Sequence, residues 1–202
     1  MDIVLVATGD YYGDSWWTDN MEHMLWEAGA EFDQITIIND VVYGGVFDKL
    51  RVFDICRDYE KQYLYLDLDM VIHSPIDHLL RDNLTVLHAW WREKLHTPYN
   101  SSVMSWKGDY SFIYQIFQED PEFYMTRYNK GIDEYLYRNF DVDKYPPVCN
   151  SKNYGGYNDI WPICLFNQAA HDMRKPGEWT KYLLSGWDKS MDLSTKGIWT
   201  IS

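Results

Sequence analysis

The sequence predicts an α/β protein with a mostly parallel sheet of the doubly wound kind. Short apolar, β-branched runs alternate with segments whose apolar residues recur at helical spacing, and the chain opens strand, helix, strand, helix, strand. The third of those runs, YLYL at 63–66, passes straight into the aspartates of DLD, the position at a strand's carboxyl edge where such sheets bind ligands.

IVLVA at 3–7 is closed by Thr8, Gly9 and Asp10, as expected of a buried strand that delivers its carboxyl end to a loop. A helix follows over 15–28, with Trp17, Met21, Met24, Leu25 and Ala28 on one face, Asp14 or Ser15 as cap, and Gly29 just past its end. ITII at 35–38 is a second strand. Val46, Phe47, Leu50 and Phe53 predict a helix over 46–60, and YLYL is the third strand, its apolar character continuing through MVIHSPI. Farther on, TVLHAW (85–90) and SVMSW (102–106) read as strands. Helices are expected at 109–119, through Tyr110, Ile113 and Phe117, and at 132–139, through Ile132, Tyr135 and Leu136. Residues 141–160, with Pro146, Pro147, Gly155 and Gly156, are loop-rich. ICLF at 163–166 is a last strand before a helix near 177–184. There is no internal repeat, and 202 residues suit one domain spanning 1–202.

Composition narrows the function classes. With 18 Lys and Arg against 31 Asp and Glu, the net charge of -13 repels a nucleic-acid backbone and an anionic membrane surface alike. A phosphorylated ligand would therefore need a metal cation or a local cluster of basic residues. The cysteines, Cys56, Cys149 and Cys164, are odd in number and lack zinc-ligand spacing, which predicts reduced thiols in a cytoplasmic setting. No run has the length of a membrane span and the N-terminal run is too short for a signal peptide, so membrane insertion is not expected.

In an extended segment Asp67 and Asp69 point to the same side, with Leu68 opposite. Two neighbouring carboxylates are costly unless a cation removes their repulsion, and together they make a site for a hard divalent ion. The alternative is a pair of solvated carboxylates at a strand end, or caps for the turn at Ser74 and Pro75. DLDMV also fits the DxD text of haloacid-dehalogenase-type phosphatases, in which Asp67 would be the nucleophile. That motif normally closes the first strand, whereas here it follows two strand–helix units.

Five pieces together resemble the GT-A glycosyltransferases, and among them the glycosyltransferase family 8 group that includes glycogenin and bacterial galactosyltransferases. They are LVATGDYYG, FDKLRVF, YLYLDLDMVI, NSSVMSW, similar to the family's FNSGVM segment, and FNQAAHDMRKPGEW, similar to its closing HFxGxxKPW. They span residues 5–179. The resemblance implies a GT-A (Rossmann-like) mixed, mostly parallel central sheet flanked by helices, with the DxD at a strand end. It also implies transfer of a sugar from a nucleotide-diphosphate-sugar donor, UDP-linked by preference, to a glycan or small hydroxyl acceptor.

Each piece then carries an implied role. Asp67 and Asp69 would hold Mn²⁺ or Mg²⁺, with His171 as third ligand, because the family's HF dipeptide is here Leu165-Phe166. Lys49 and Lys175 would face the donor phosphates. Thr8, Gly9, Tyr11 and Tyr12 would line the base and ribose. Asn100, Ser101 and Ser102 would approach the donor sugar, Ser102 standing where the family has Gly. Asp133 and Glu134 resemble the family's GDQ segment with Ile132 inserted; they are candidate bases if the reaction inverts, whereas retention would need none. Apart from the resemblance, Trp90, Trp91 and Trp106 are expected to form an aromatic rim for the acceptor. A non-catalytic carbohydrate-binding relative remains the other reading.

Overall fold

In the computed structural model, which describes residues 1–72, 74–91, 97–151 and 161–166, the side chains of Asp10 and Tyr11 excepted, the elements run in the order foreseen at the N-terminal end. They are β1 (Asp2–Val6), a single turn α1 (Gly9–Tyr12), α2 (Ser15–Glu27), β2 (Gln34–Ile38), a 3₁₀ helix (Gly45–Arg51) continuing into α3 (Val52–Ile55), and β3 (Gln62–Leu66). Then come β4 (Met70–Ile72), β5 (Thr85–His88), β6 (Tyr99–Lys107), α4 (Ser111–Glu119), α5 (Pro121–Arg127), α6 (Ile132–Asn139), β7 (Asp143–Lys144), β8 (Cys149–Ser151) and β9 (Ile163–Leu165). The chain divides into two compact units.

The first unit comprises residues 1–13, 32–67 and 79–147 and holds a six-stranded sheet in the order β2-β1-β3-β6-β5-β7. β1 runs parallel to both β2 and β3, with Asp2 opposite Gln34 on one side and Tyr63 on the other. β6 is antiparallel to β3 and to β5, and β7 returns parallel to β5. The sheet is therefore mixed. β1 and β3 are buried on both faces, which is why they read as continuous apolar runs instead of an alternation.

Strand periodicity puts Val4, Tyr63, Tyr65, Met104, Trp106 and Val86 on one face, where they form a single core with Phe47, Leu50 and Phe53, with Ile113 and Phe117 of α4, and with Tyr135 and Leu136 of α6. Trp106 is fully buried, stacked on Tyr63 at 5.4 Å between ring centroids and donating from its indole N–H to the Cys56 carbonyl. It is thus a core residue, and its assignment to an acceptor rim is corrected: position 106 points inward because it lies on the same β6 face as Met104.

The expected helix over 46–60 is shorter and differently wound. At three residues per turn the 3₁₀ segment aligns Phe47 and Leu50, with Phe53 following in α3, all three buried, and rotates Val46 out to 47% exposure. α5 was not foreseen. Asp120 caps it by accepting from the Phe123 N–H, Pro121 fills its first position, and it buries no residue that a periodicity could reveal.

The second unit comprises residues 14–31, 68–78 and 148–202. MVIHSPI does not prolong β3; Met70–Ile72 instead forms β4 of a separate sheet, β4-β9-β8, antiparallel to β9. In α2 the predicted face, Trp17, Met21, Met24, Leu25 and Ala28, is buried, and Gly29 adopts φ +70° where the helix ends. The helix expected near 177–184 lies outside the described residues.

Candidate functional site

β3 ends at Leu66, but the ladder continues for one residue, because the Asp67 N–H donates to the Ser102 carbonyl at 2.8 Å. Asp67 therefore keeps strand geometry and its side chain shares a face with Tyr63 and Tyr65. The Tyr65 hydroxyl donates to Asp67 Oδ1. The Lys49 ammonium meets both carboxylate oxygens, at 2.6 Å from Oδ1 and 2.7 Å from Oδ2. Lys49 and Asp67 are only 15% and 13% exposed at their side chains, so the pair is largely screened from water.

The 3₁₀ helix aims Lys49, and a buried carboxylate sets that helix. Asp48, fully buried, accepts from the backbone N–H groups of Val42 and Tyr43 at its Oδ1 and of Gly44 at its Oδ2, at 2.9–3.0 Å. Gly44 and Gly45 both lie at positive φ, +78° and +60°, which lets three successive N–H groups converge on one side chain. On the outer side of the same loop Arg51 donates to the Asp40 carbonyl and to both Asp40 carboxylate oxygens. The Arg51 guanidinium holds the Asp40 carboxyl below its usual range.

β6 carries a bulge where it passes Asp67. Val86 of β5 pairs with Met104, yet Leu87 pairs with Asn100, so Ser101, Ser102 and Val103 have no opposite residue on β5. Their backbone groups find other partners. Ser101 N–H donates to Asp133 Oδ1 at 2.8 Å, Ser102 N–H to Asn100 Oδ1 at 3.2 Å, and the Ser102 carbonyl receives Asp67 N–H. Asn100, Ser101, Ser102 and Asp133 are all buried. Of the two acidic candidates in α6, Asp133 is the one directed at β6, while Glu134 is half-buried.

Gly131, at φ +79°, starts α6, and a Cβ there would lie 2.5 Å from Val46 Cγ2, so the helix carrying Asp133 abuts the helix carrying Lys49. The bulge and the two helices thus bring together Lys49, Tyr65, Asp67, Asn100, Ser101, Ser102 and Asp133. Thr8 is the extended residue before α1, Gly9 has φ +79°, and Tyr12 is half-buried. The Tyr11 side chain lies outside the described residues, as do His171 and Lys175. Trp90 and Trp91 form an edge-to-face pair after β5, 5.3 Å between centroids. Asp69 belongs to the second unit, where its carbonyl accepts from Phe166 N–H, and Leu165 and Phe166 are buried.

Among the described residues no group of three or more His, Cys, Asp and Glu is arranged to hold a metal. The Asp67 oxygens are of the kind that a hard cation takes, and the Lys49 ammonium already sits on both of them as a positive charge. Tyr65 and Asp48 had not been singled out beforehand. Tyr65 was legible, since a period of two from Asp67 reaches it. Asp48 had no such signal, because its partners are backbone N–H groups.

No protein-family model matches the chain, and no curated protein matches it by sequence. Solved structures do. The galactosyltransferase LgtC, in complex with donor and acceptor sugar analogues, superposes with a TM-score of 0.54 at 13% identity, over 91% of this chain and 100% of that one. An active-site variant of LgtC gives 0.56 at 11% identity with the same coverage. A glycosyltransferase involved in the glycosylation of the major capsid of PBCV-1 gives 0.52 at 11% identity, over 87% of this chain and 100% of that one. The fold is that of the GT-A glycosyltransferases, and it resembles family 8.

Proposed function

We propose that this chain is a glycosyltransferase that moves a hexose from a nucleotide-diphosphate-sugar donor, UDP-linked by preference, to a hydroxyl acceptor. The observation that carries the reading is the GT-A fold with the first aspartate of its DxD at the end of β3, beside a bulge of buried polar residues and under a lysine. Asp67 and Asp69, with His171, would hold Mn²⁺ or Mg²⁺, whose charge would stabilise the leaving diphosphate. Thr8, Gly9, Tyr11 and Tyr12 follow β1 and would receive the base and ribose.

Lys49 and Lys175 would supply the positive charge that an acidic protein otherwise lacks for a diphosphate. Asn100, Ser101 and Ser102 would face the donor sugar, and Asp133 would fix their backbone through its bond to Ser101. This supports a positioning role for Asp133 and, with it, a retaining transfer. An inverting transfer would instead use Asp133 or Glu134 as general base.

The test is turnover of a donor panel by the purified protein with Mn²⁺, reading nucleotide release, with the anomeric configuration of the product read by NMR. One donor is expected to turn over, and Asp67→Asn to slow it by about 10²-fold or more, the scale of losing a preorganised charge at the leaving group. Phosphate release from a phosphomonoester, with no donor consumed, would overturn the reading in favour of a phosphatase.

A further inference from the structure

Both carboxylate oxygens of Asp67 already have partners. Its oxygens receive the Lys49 ammonium at 2.6 and 2.7 Å and the Tyr65 hydroxyl, in a place where both charged side chains are at least 85% hidden from water. A divalent cation bound to the same oxygens would stand within about 4 Å of that ammonium, and like charges so close and so poorly screened repel strongly. Lys49 must then leave, or an anion must arrive to sit against both cations. The Tyr65 ring lies 5.8 Å from Nζ and offers a face on which a displaced ammonium keeps some compensation.

We infer that Lys49 is the resident counter-ion of Asp67 and gives it up on loading, passing from the carboxylate to the donor diphosphate as the metal enters. The inference rests on the proposed function for the existence of a metal and a diphosphate. Its content is a coupling: metal and nucleotide diphosphate bind poorly alone and well together, because Lys49 opposes the first and welcomes the second. Coupling is reciprocal, and a factor on the order of tenfold lies within the usual range for linked sites.

Calorimetric titration of Mn²⁺ into wild type and Lys49→Met, without nucleotide and with saturating UDP, separates the possibilities. Without nucleotide, Lys49→Met is expected to bind Mn²⁺ about tenfold tighter than wild type, and with UDP that advantage disappears or reverses. A purely structural role for Lys49 predicts the opposite sign, weaker metal binding throughout. Equal Mn²⁺ affinities in the two proteins would overturn the handover while leaving the transferase reading intact. Absence of Mn²⁺ binding in both, with or without UDP, would overturn the two together.

Because removing Lys49 leaves a hidden carboxylate uncompensated and the variant could fail to fold, a second measurement uses the wild type alone. The side-chain ammonium signal of Lys49 in ¹H–¹⁵N NMR is expected to lose its ion-paired shift when Mg²⁺ is added. An unchanged signal at saturating Mg²⁺ would contradict the inference.

Discussion

Asp67 shows how a single residue gathers a site. Strand geometry turns it to the same side as Tyr65, the ladder bond to Ser102 holds its backbone, and Lys49 neutralises it. Much of this was legible: the DxD and the lysine of FDKL stand out as residue types. What they bond to was not, since the meeting of positions 49 and 67 depends on how a helix lies across a strand. Asp48 was illegible for another reason, because an acidic side chain that serves backbone N–H groups looks in sequence like any surface aspartate. At this scale the cysteines give a separate prediction. Burial pushes the Cys56 and Cys149 thiols up to about 12. Cys56, Cys149 and Cys164 are all buried. Ellman's reagent at pH 8 should leave the native thiols unlabelled and react fully after denaturation. The sign for stability follows: the unfolded thiols ionise from about pH 8.5 and the folded ones do not, so stability falls as pH rises from there toward 12. Rapid labelling of the native protein at pH 8 would show that Cys56 and Cys149 are less enclosed than described.

Among the elements, the 3₁₀ helix and the β6 bulge matter most. Both escape simple pattern reading. Phe47, Leu50 and Phe53 fit a period of three as well as 3.6, and only the exposure of Val46 separates the two. The bulge inserts Ser101–Val103 opposite nothing on β5, an event that a run such as NSSVMSW does not announce. α5 was marked by Asp120 and Pro121 but offered no apolar stripe. The contact of Gly131 with Val46 joins the helix that carries Asp133 to the one that carries Lys49. Gly131→Ala combines a positive φ with a 2.5 Å approach to Val46 Cγ2, and should cost about 1–3 kcal/mol in urea unfolding. Adding Val46→Ala should recover only part of that loss, because the backbone strain persists. Full recovery would assign the whole cost to the side-chain contact.

At the scale of the whole molecule, the alternation of strands and helices in the first 66 residues was enough to give the parallel part of the sheet, and the structure adds its order, β2-β1-β3. The antiparallel insertion of β6 between β3 and β5 was not readable, since a buried strand looks the same in either direction. The same limit hid the departure of Met70–Ile72 into a second sheet. That insertion matters for the proposed function, because it sets the bulged Ser101–Val103 beside the end of β3. The central claim, a nucleotide-diphosphate site built around Asp67, is tested most directly by melting temperature. The protein would be scanned with UDP, GDP, TDP, CMP and ADP, each with and without Mn²⁺, and compared with Asp67→Asn. One nucleoside diphosphate at 100 times its Kd should stabilise the fold by about 2.7 kcal/mol, a rise of roughly 5–10 °C, only when Mn²⁺ is present and not in the variant. A wild-type protein that melts cooperatively at the same temperature under every condition would contradict the account.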